Sequence, residues 1–89
     1  MKKITLTIIN KLGLHARAAM KLIDTASRFQ ATATLIFDDQ RADAKDILQT
    51  MCLGARQGAQ VTVEVDGPDE DLSLQAIERL IADKFGEAE

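Results

Sequence analysis

The apolar residues of the chain switch between two spacings, and the order of these switches constrains the fold more than any other feature of the sequence. Alternation of apolar and polar residues, the pattern of a half-buried strand, occurs at residues 4–9, 31–37 and 61–65. Spacing of three or four, the pattern of a helix with one buried face, occurs at residues 16–29 and 69–85. The chain therefore combines strands and helices in one short sequence.

Turn and capping signals complete the predicted order of elements. Residues 38–40 indicate a hairpin that leads into a short strand at residues 41–44. Asp46 and Gln49 have the spacing of a capping box, which predicts a short helix over residues 47–53. The order is β-α-β-β-α-β-α, and the three helices must cover one face of one antiparallel sheet. We predict a two-layer, open-faced α+β sandwich.

The composition limits the class of protein. With 89 residues, of which 46% are hydrophobic, the chain is expected to form one domain over residues 1–89. Cys52 is the only cysteine and His15 the only histidine, so we expect no internal disulfide, no structural zinc site and no cofactor. The apolar run at residues 4–9 is too short for a signal peptide or a membrane span. We expect a cytoplasmic monomer without membrane insertion.

The two halves of the chain carry opposite net charge. Residues 1–45 contain eight Lys and Arg against four acidic residues, whereas residues 46–89 contain three against ten. Tyr and Trp are absent and Phe occurs three times, so the chain lacks stacking platforms and no nucleic-acid partner is expected. The basic half is suited to an anionic group or to an acidic partner surface.

The histidine lies at the predicted start of the first helix, two residues after Gly13 and two before Arg17. Gly13 permits a sharp turn, and the first N–H groups of the helix, at Ala16 and Arg17, are free to bind an anion. The Arg17 guanidinium can contact the same anion. The positive end of the helix dipole favours a neutral, nucleophilic imidazole. The pattern favours a phosphate site at His15, with a surface or capping histidine as the alternative.

The active-site segment of the HPr family, the histidine phosphocarriers of the phosphoenolpyruvate-dependent phosphotransferase system, resembles Asn10-Lys11-Leu12-Gly13-Leu14-His15-Ala16-Arg17-Ala18-Ala19. The nearest resemblance is to the nitrogen-related branch, NPr. The order of predicted elements is also similar, so the resemblance covers nearly the whole chain. It implies a four-stranded sheet with strand order 1-4-2-3.

The resemblance implies that the chain is a phosphocarrier and not an enzyme. His15 would accept a phosphoryl group on Nδ1 from phosphorylated enzyme I and pass it to a histidine of an enzyme IIA. Arg17 and the backbone N–H groups of Ala16 and Arg17 would contact the phosphoryl group. The stretch before the histidine favours nitrogen-type partners, with a general sugar-transport HPr as the alternative.

The resemblance also implies a docking patch, formed by apolar side chains with lysines at its rim: Met20, Lys21, Lys45, Ile47, Leu48 and Met51. Met20 is predicted to be exposed because it lies off the buried stripe of the first helix. Ile47 and Met51 are predicted to be exposed because the short second helix has more apolar residues than it needs for burial. Methionine side chains adapt well to varied partners. For Leu48, a place in the core and a place in the patch are equally supported. For Lys21 and Lys45, the alternative is that they are ordinary solvated lysines with no role in docking.

Two further positions have separate interpretations. Many HPr proteins have a serine at the position of Asp46, and a kinase phosphorylates that serine to regulate transfer. Aspartate cannot be phosphorylated in this way. Asp46 is predicted to be the N-cap of the second helix, with a permanent mimic of phosphoserine as the alternative. Cys52 is predicted to be a small buried hydrophobic residue.

Two other classes of function stay open. A regulatory binding module of similar architecture would carry no phosphate, and replacement of the histidine would favour it, but His15 is present. A small acid–base enzyme would need a carboxylate partner for the histidine and a cleft, and the sequence indicates neither.

Overall fold

The computed structural model describes residues Met1–Glu89 and contains one four-stranded sheet and three α-helices. The elements are β1 (Lys2–Thr7), α1 (Ala16–Ala26), β2 (Thr32–Phe37), β3 (Gln40–Asp43), α2 (Ile47–Cys52), β4 (Gln60–Asp66) and α3 (Glu70–Ala82). All strand pairs are antiparallel, and the strand order is β1-β4-β2-β3. The predicted fold class and strand order are therefore confirmed. None of the helices has the length and apolar character that a membrane span requires.

One face of the sheet packs against the helices, as the alternation of its residues predicts. In the central strand β4, Val61, Val63 and Val65 are buried, and the residues between them are more exposed. The buried stripes of α1 and α3 complete the core with Leu22 and Ile77. The opposite face of the sheet carries no helix and is lined mainly by polar side chains, among them Thr5, Thr62 and Glu64.

The first helix is shorter than the sequence predicts, since α1 ends at Ala26 and not near Phe29. After Ala26 the backbone tightens into turns in which the N–H of Phe29 donates to Ala26 O at 3.3 Å. The next two N–H groups, of Gln30 and Ala31, donate to the carboxylate of Asp69 at 2.9 and 2.8 Å. These hydrogen bonds from the backbone hold the pKa of Asp69 below its usual value. A carboxylate distant in sequence therefore competes successfully with continuation of the helix.

The hairpin between β2 and β3 turns on two residues only. Asp38 and Asp39 have φ of 50° and 65°, the left-handed conformation that a two-residue hairpin turn requires and that Asp tolerates. Gln40, which was predicted to belong to the turn, is the first residue of β3 and pairs with Phe37.

The second helix begins at the predicted N-cap, because Asp46 Oδ1 accepts a hydrogen bond from Gln49 N at 3.1 Å. The reciprocal half of the capping box is absent, and Gln49 Oε1 instead accepts from Asp43 N at 3.0 Å. The prediction that Cys52 is buried is wrong. Thr50, whose Oγ1 donates to Asp43 O, faces the core, and a residue two positions along a helix points away from that face.

Replacing Asp46 with alanine should lower the free energy of unfolding by about 0.5–2 kcal/mol, because the N–H of Gln49 loses its acceptor. Asp46→Ser should retain most of the stability, since serine is also a good N-cap. Urea denaturation of the three proteins measures the difference. Equal losses for alanine and serine would show that the hydrogen bond at the helix start is not the source of the effect.

The end of the third helix also differs from the prediction, since α3 stops at Ala82 and not near Phe85. A 3₁₀ turn over Lys84–Gly86 follows, in which Lys84, Phe85 and Gly86 have φ of 56°, 55° and 78°. Phe85 is buried in the core, although its backbone is left-handed. The turn redirects the chain, so that Glu87 reaches the beginning of α1.

Candidate functional site

Helices α1 and α2 run in opposite directions, and this orientation determines which residues lie near His15. The Lys45 ammonium, just before α2, donates to Phe29 O at 2.9 Å, beyond the C-terminal end of α1. At the other end, the N–H of Leu14 donates to Ala55 O at 2.9 Å, after α2 has finished. The histidine is therefore near the C-terminal end of α2, whereas Lys45 and Asp46 lie towards the far end of α1.

The loop before the histidine is held by backbone contacts that leave room only for glycine. Gly13 has φ of 66°, and a Cβ atom there would lie 2.7 Å from Ala55 O and 2.8 Å from Arg56 Cα. Both neighbours are backbone atoms that cannot rotate away. Asn10 is fully buried beneath this loop, and its Nδ2 donates to Gly13 O at 2.8 Å. The loop thus places His15 at a fixed position at the start of α1.

His15 is the N-cap residue of α1, with an extended backbone, and its side chain does not cap the helix. The first intrahelical bond runs from Ala19 N to His15 O at 2.8 Å. The preceding N–H groups, of Ala16, Arg17 and Ala18, have no acceptor within the chain. The Arg17 side chain is exposed and forms no ion pair. The structure therefore brings the predicted phosphate ligands together, with their hydrogen-bonding capacity free.

The sequence interpretation missed one residue of the site, Glu87. Its Oε2 contacts Nε2 of His15, and its Oε1 accepts a hydrogen bond from Asn10 Nδ2 at 2.9 Å. The side chains of Glu87 and His15 are only 16% and 27% exposed. The expectation that the histidine lacks a carboxylate partner is therefore wrong. No local signal could have revealed this contact, because the two residues are 72 positions apart in the sequence.

Hydrogen bonds from Asn10 and then from His15 hold the pKa of Glu87 below its usual value, and the charge of Lys21 acts in the same direction. Because the pKa is lowered in the folded protein, the stabilisation from this carboxylate is present above the ordinary pKa of glutamate. It is lost as the pH falls through the lowered pKa. Glu87 is therefore ionised at neutral pH.

The site opens into a cleft of about 590 Å³, which the residue pattern did not predict. Its walls include the histidine, the two residues that begin α1 and side chains of the loop and the C-terminal segment: Lys11, Leu12, His15, Ala16, Arg17, Glu87 and Glu89. The cleft is shallow and open to solvent, so a small group bound beside His15 would stay accessible from outside.

The predicted docking residues are only partly grouped. Met20, Leu48 and Met51 are 60%, 72% and 40% exposed on two helices that pack together, so Leu48 does not belong to the core. Ile47 is half-buried, less exposed than predicted. The Lys21 ammonium donates to Phe85 O at 2.6 Å, next to the segment that carries Glu87. The structure does not bring Lys45 to the histidine, because its ammonium is bound near the other end of α1.

The chain as a whole is similar to known proteins of one family. The family model described as "PTS HPr component phosphorylation site" matches residues 2–83. The chain belongs to the HPr family. An HPr of Cupriavidus necator is 48% identical over 83 residues, which are 93% of each chain. An NPr of Shewanella violacea is 44% identical over 82 residues, which are 92% of this chain and 90% of the relative.

The structure is similar to HPr structures as well. A crystal structure of an HPr from Thermoanaerobacter tengcongensis superimposes with a TM-score of 0.96 at 40% identity, and each chain is covered completely. Since the family model, the relatives and the fold agree, the protein is an HPr-type phosphocarrier of the phosphotransferase system and not an enzyme.

Proposed function

We propose that the chain accepts one phosphoryl group on Nδ1 of His15 from phosphorylated enzyme I and passes it to a histidine of an enzyme IIA. The main support is the position of His15 as the N-cap of α1, where the N–H groups of Ala16, Arg17 and Ala18 have no acceptor. These donors and the guanidinium of Arg17 can stabilise the charge of a phosphoryl group. Because they lie on one side of an open cleft, they do not enclose the group, so it can leave again.

We further propose that the partners are of the nitrogen-related type. The stretch Asn10-Lys11-Leu12-Gly13 and the likeness to the NPr of Shewanella violacea support this assignment. The alternative, a general sugar-transport HPr, is supported by the likeness to the HPr of Cupriavidus necator. The two assignments differ in which enzyme I and which enzyme IIA react fastest.

Incubation with phosphoenolpyruvate and each type of purified enzyme I, followed by intact-mass measurement, tests the proposal. The chain should gain one phosphoryl group, at a higher rate with the nitrogen-type enzyme I, and lose it on addition of the nitrogen-type enzyme IIA. Faster reaction with both sugar-type partners would favour the alternative assignment. No phosphorylation by either enzyme I would refute the role as a carrier.

Arg17→Ala should slow phosphoryl transfer without a loss of stability, because the exposed side chain forms no hydrogen bond or ion pair within the protein. Loss of a charge-assisted contact should raise the transfer barrier by about 1–3 kcal/mol. Arg28→Ala is the matched control, since Arg28 is an exposed arginine beyond the other end of α1, paired with Asp24 at 2.8 Å. Rapid-quench rates that are equal for the two variants would remove Arg17 from the site.

The docking surface is proposed to consist of Met20, Leu48 and Met51, with the half-buried Ile47 beneath them and Lys21 at the rim. Met20→Ala should weaken binding of enzyme I by more than it weakens folding, because an exposed side chain contributes little to the core. Leu72→Ala is a matched control, because Leu72 is 61% exposed on α3, against 60% for Met20. Titration calorimetry and urea denaturation measure the two effects. A loss of about 2–5 kcal/mol in folding with unchanged affinity would instead place Met20 in the core.

A further inference from the structure

The two nitrogens of the His15 ring have different surroundings. Nε2 contacts the carboxylate of Glu87, whereas Nδ1 has no hydrogen-bond partner within the chain. A carboxylate at one ring nitrogen holds the proton there, and the other nitrogen then carries the lone pair. The contact with Glu87 therefore favours Nδ1 over Nε2 as the nucleophile.

The carboxylate is itself held in place by a buried amide. Asn10 Nδ2 donates to Glu87 Oε1 at 2.9 Å and to Gly13 O at 2.8 Å, and Asn10 is fully buried. Its Oδ1 has no partner. Both groups that face the amide nitrogen are acceptors, so the amide keeps this orientation even at the cost of an unpaired oxygen. Asn10 therefore links the glycine turn before His15 to the carboxylate that contacts the ring.

We infer that Glu87, oriented by Asn10, is a positioning residue that keeps the His15 proton on Nε2 and directs phosphoryl transfer through Nδ1. This inference rests on the proposed function, because it concerns the same histidine. Glu87 acts through the ring and does not touch the reacting nitrogen. In other proteins too, a carboxylate that accepts a hydrogen bond from one ring nitrogen of a histidine fixes the tautomer and the orientation of the ring.

In the transfer step, the lone pair of Nδ1 forms the new N–P bond, the bond from phosphorus to the donor atom breaks, and its electron pair returns to that donor atom. The His15 ring keeps its proton on Nε2 and becomes positively charged, directly beside the Glu87 carboxylate. When the phosphoryl group moves on, the N–P electron pair returns to Nδ1. Glu87 thus balances a charge that exists only while the ring carries phosphate.

An obstructing role for Glu87 fits the geometry less well. A carboxylate that occupied the phosphoryl site would accept hydrogen bonds from the first N–H groups of α1 or pair with Arg17. Glu87 does neither, since its partners are Asn10 and His15 Nε2. The anion site at the helix start is therefore free while the carboxylate is in place.

The tautomer can be measured directly on the unphosphorylated protein, because His15 is the only histidine. Long-range ¹H–¹⁵N spectra of the ring at a pH where it is neutral should show the Nε2–H tautomer as the dominant form. Glu87→Ala should convert this signal to a mixture of both tautomers. Glu89→Ala is the matched control, because Glu89 lines the same cleft but forms no hydrogen bond with the ring, and it should leave the spectrum unchanged.

Single-turnover phosphorylation by enzyme I gives the second readout. The rate should fall by about ten-fold in Glu87→Ala, the scale expected when a histidine loses its orienting partner. The rate of Glu87→Gln should lie between that of Glu87→Ala and that of the unaltered protein, because glutamine keeps an acceptor without the charge. An unchanged tautomer in Glu87→Ala, or a faster transfer, would overturn the inference. If the unaltered protein were phosphorylated by no enzyme I, the proposed function would fail, and the ring spectra would still test the role of Glu87.

Discussion

Replacing His15 with alanine should abolish phosphorylation by enzyme I completely while the fold persists. His15 is the only histidine, and it is not part of the hydrophobic core: its side chain is partly exposed and forms a hydrogen bond with one side chain only, that of Glu87. The phosphate on the unaltered protein should be labile in acid and stable in base, as a phosphoramidate is. Intact mass after each treatment measures this, and circular dichroism checks the fold. A base-labile or acid-stable phosphate, of the kind linked to a hydroxyl, would contradict the assignment.

Phe85→Ala should cause the largest loss of stability among the changes considered, about 3–5 kcal/mol in the free energy of unfolding. Phe85 is 1% exposed, and its turn packs against both α1 and α3. Such a loss is a large share of the 5–15 kcal/mol that is typical of small domains. Urea denaturation provides the measurement.

Phe37→Ala is the matched control for this change, because Phe37 is a half-buried phenylalanine at the β2–β3 hairpin. It should cost clearly less than Phe85→Ala. The opposite order would mean that the turn after α3 contributes little to the core, and that Glu87 is not anchored by Phe85.

The elements could be predicted from the sequence, and so could the grouping of the candidate phosphate ligands, because both depend on residues close together in the chain. Alternating valines define β4, and the segment from Gly13 to Arg17 contains the glycine turn, His15 and the start of α1. The strand order came from the likeness to HPr, since the alternation of residues does not specify which strands are neighbours. The assignment of partner type stays a prediction.

Two of the errors, at the end of α1 and at Glu87, arise from contacts between residues that are distant in the sequence. The carboxylate of Asp69 accepts hydrogen bonds from the N–H groups of Gln30 and Ala31, which follow α1, and the helix is therefore shorter than its apolar spacing predicts. The left-handed turn that contains Phe85 brings Glu87 to His15, and only Gly86 in that turn gives a sequence signal. Cys52 was misplaced for a local reason, because the spacing in a six-residue helix does not determine which side faces the core.

The loop that positions His15 has a consequence for the order in which the site forms during protein synthesis. The N–H of Leu14 donates to Ala55 O, and Ile8 exchanges backbone hydrogen bonds with Gly58 and Ala59. The histidine segment therefore leaves the ribosome about forty residues before its backbone partners do. Pairing between segments so far apart in the sequence closes a long loop, and contacts of this kind slow folding. A nascent chain that ends before these partners would expose His15 without the backbone contacts that position it, so the candidate site is complete only after residues 55–59 have emerged.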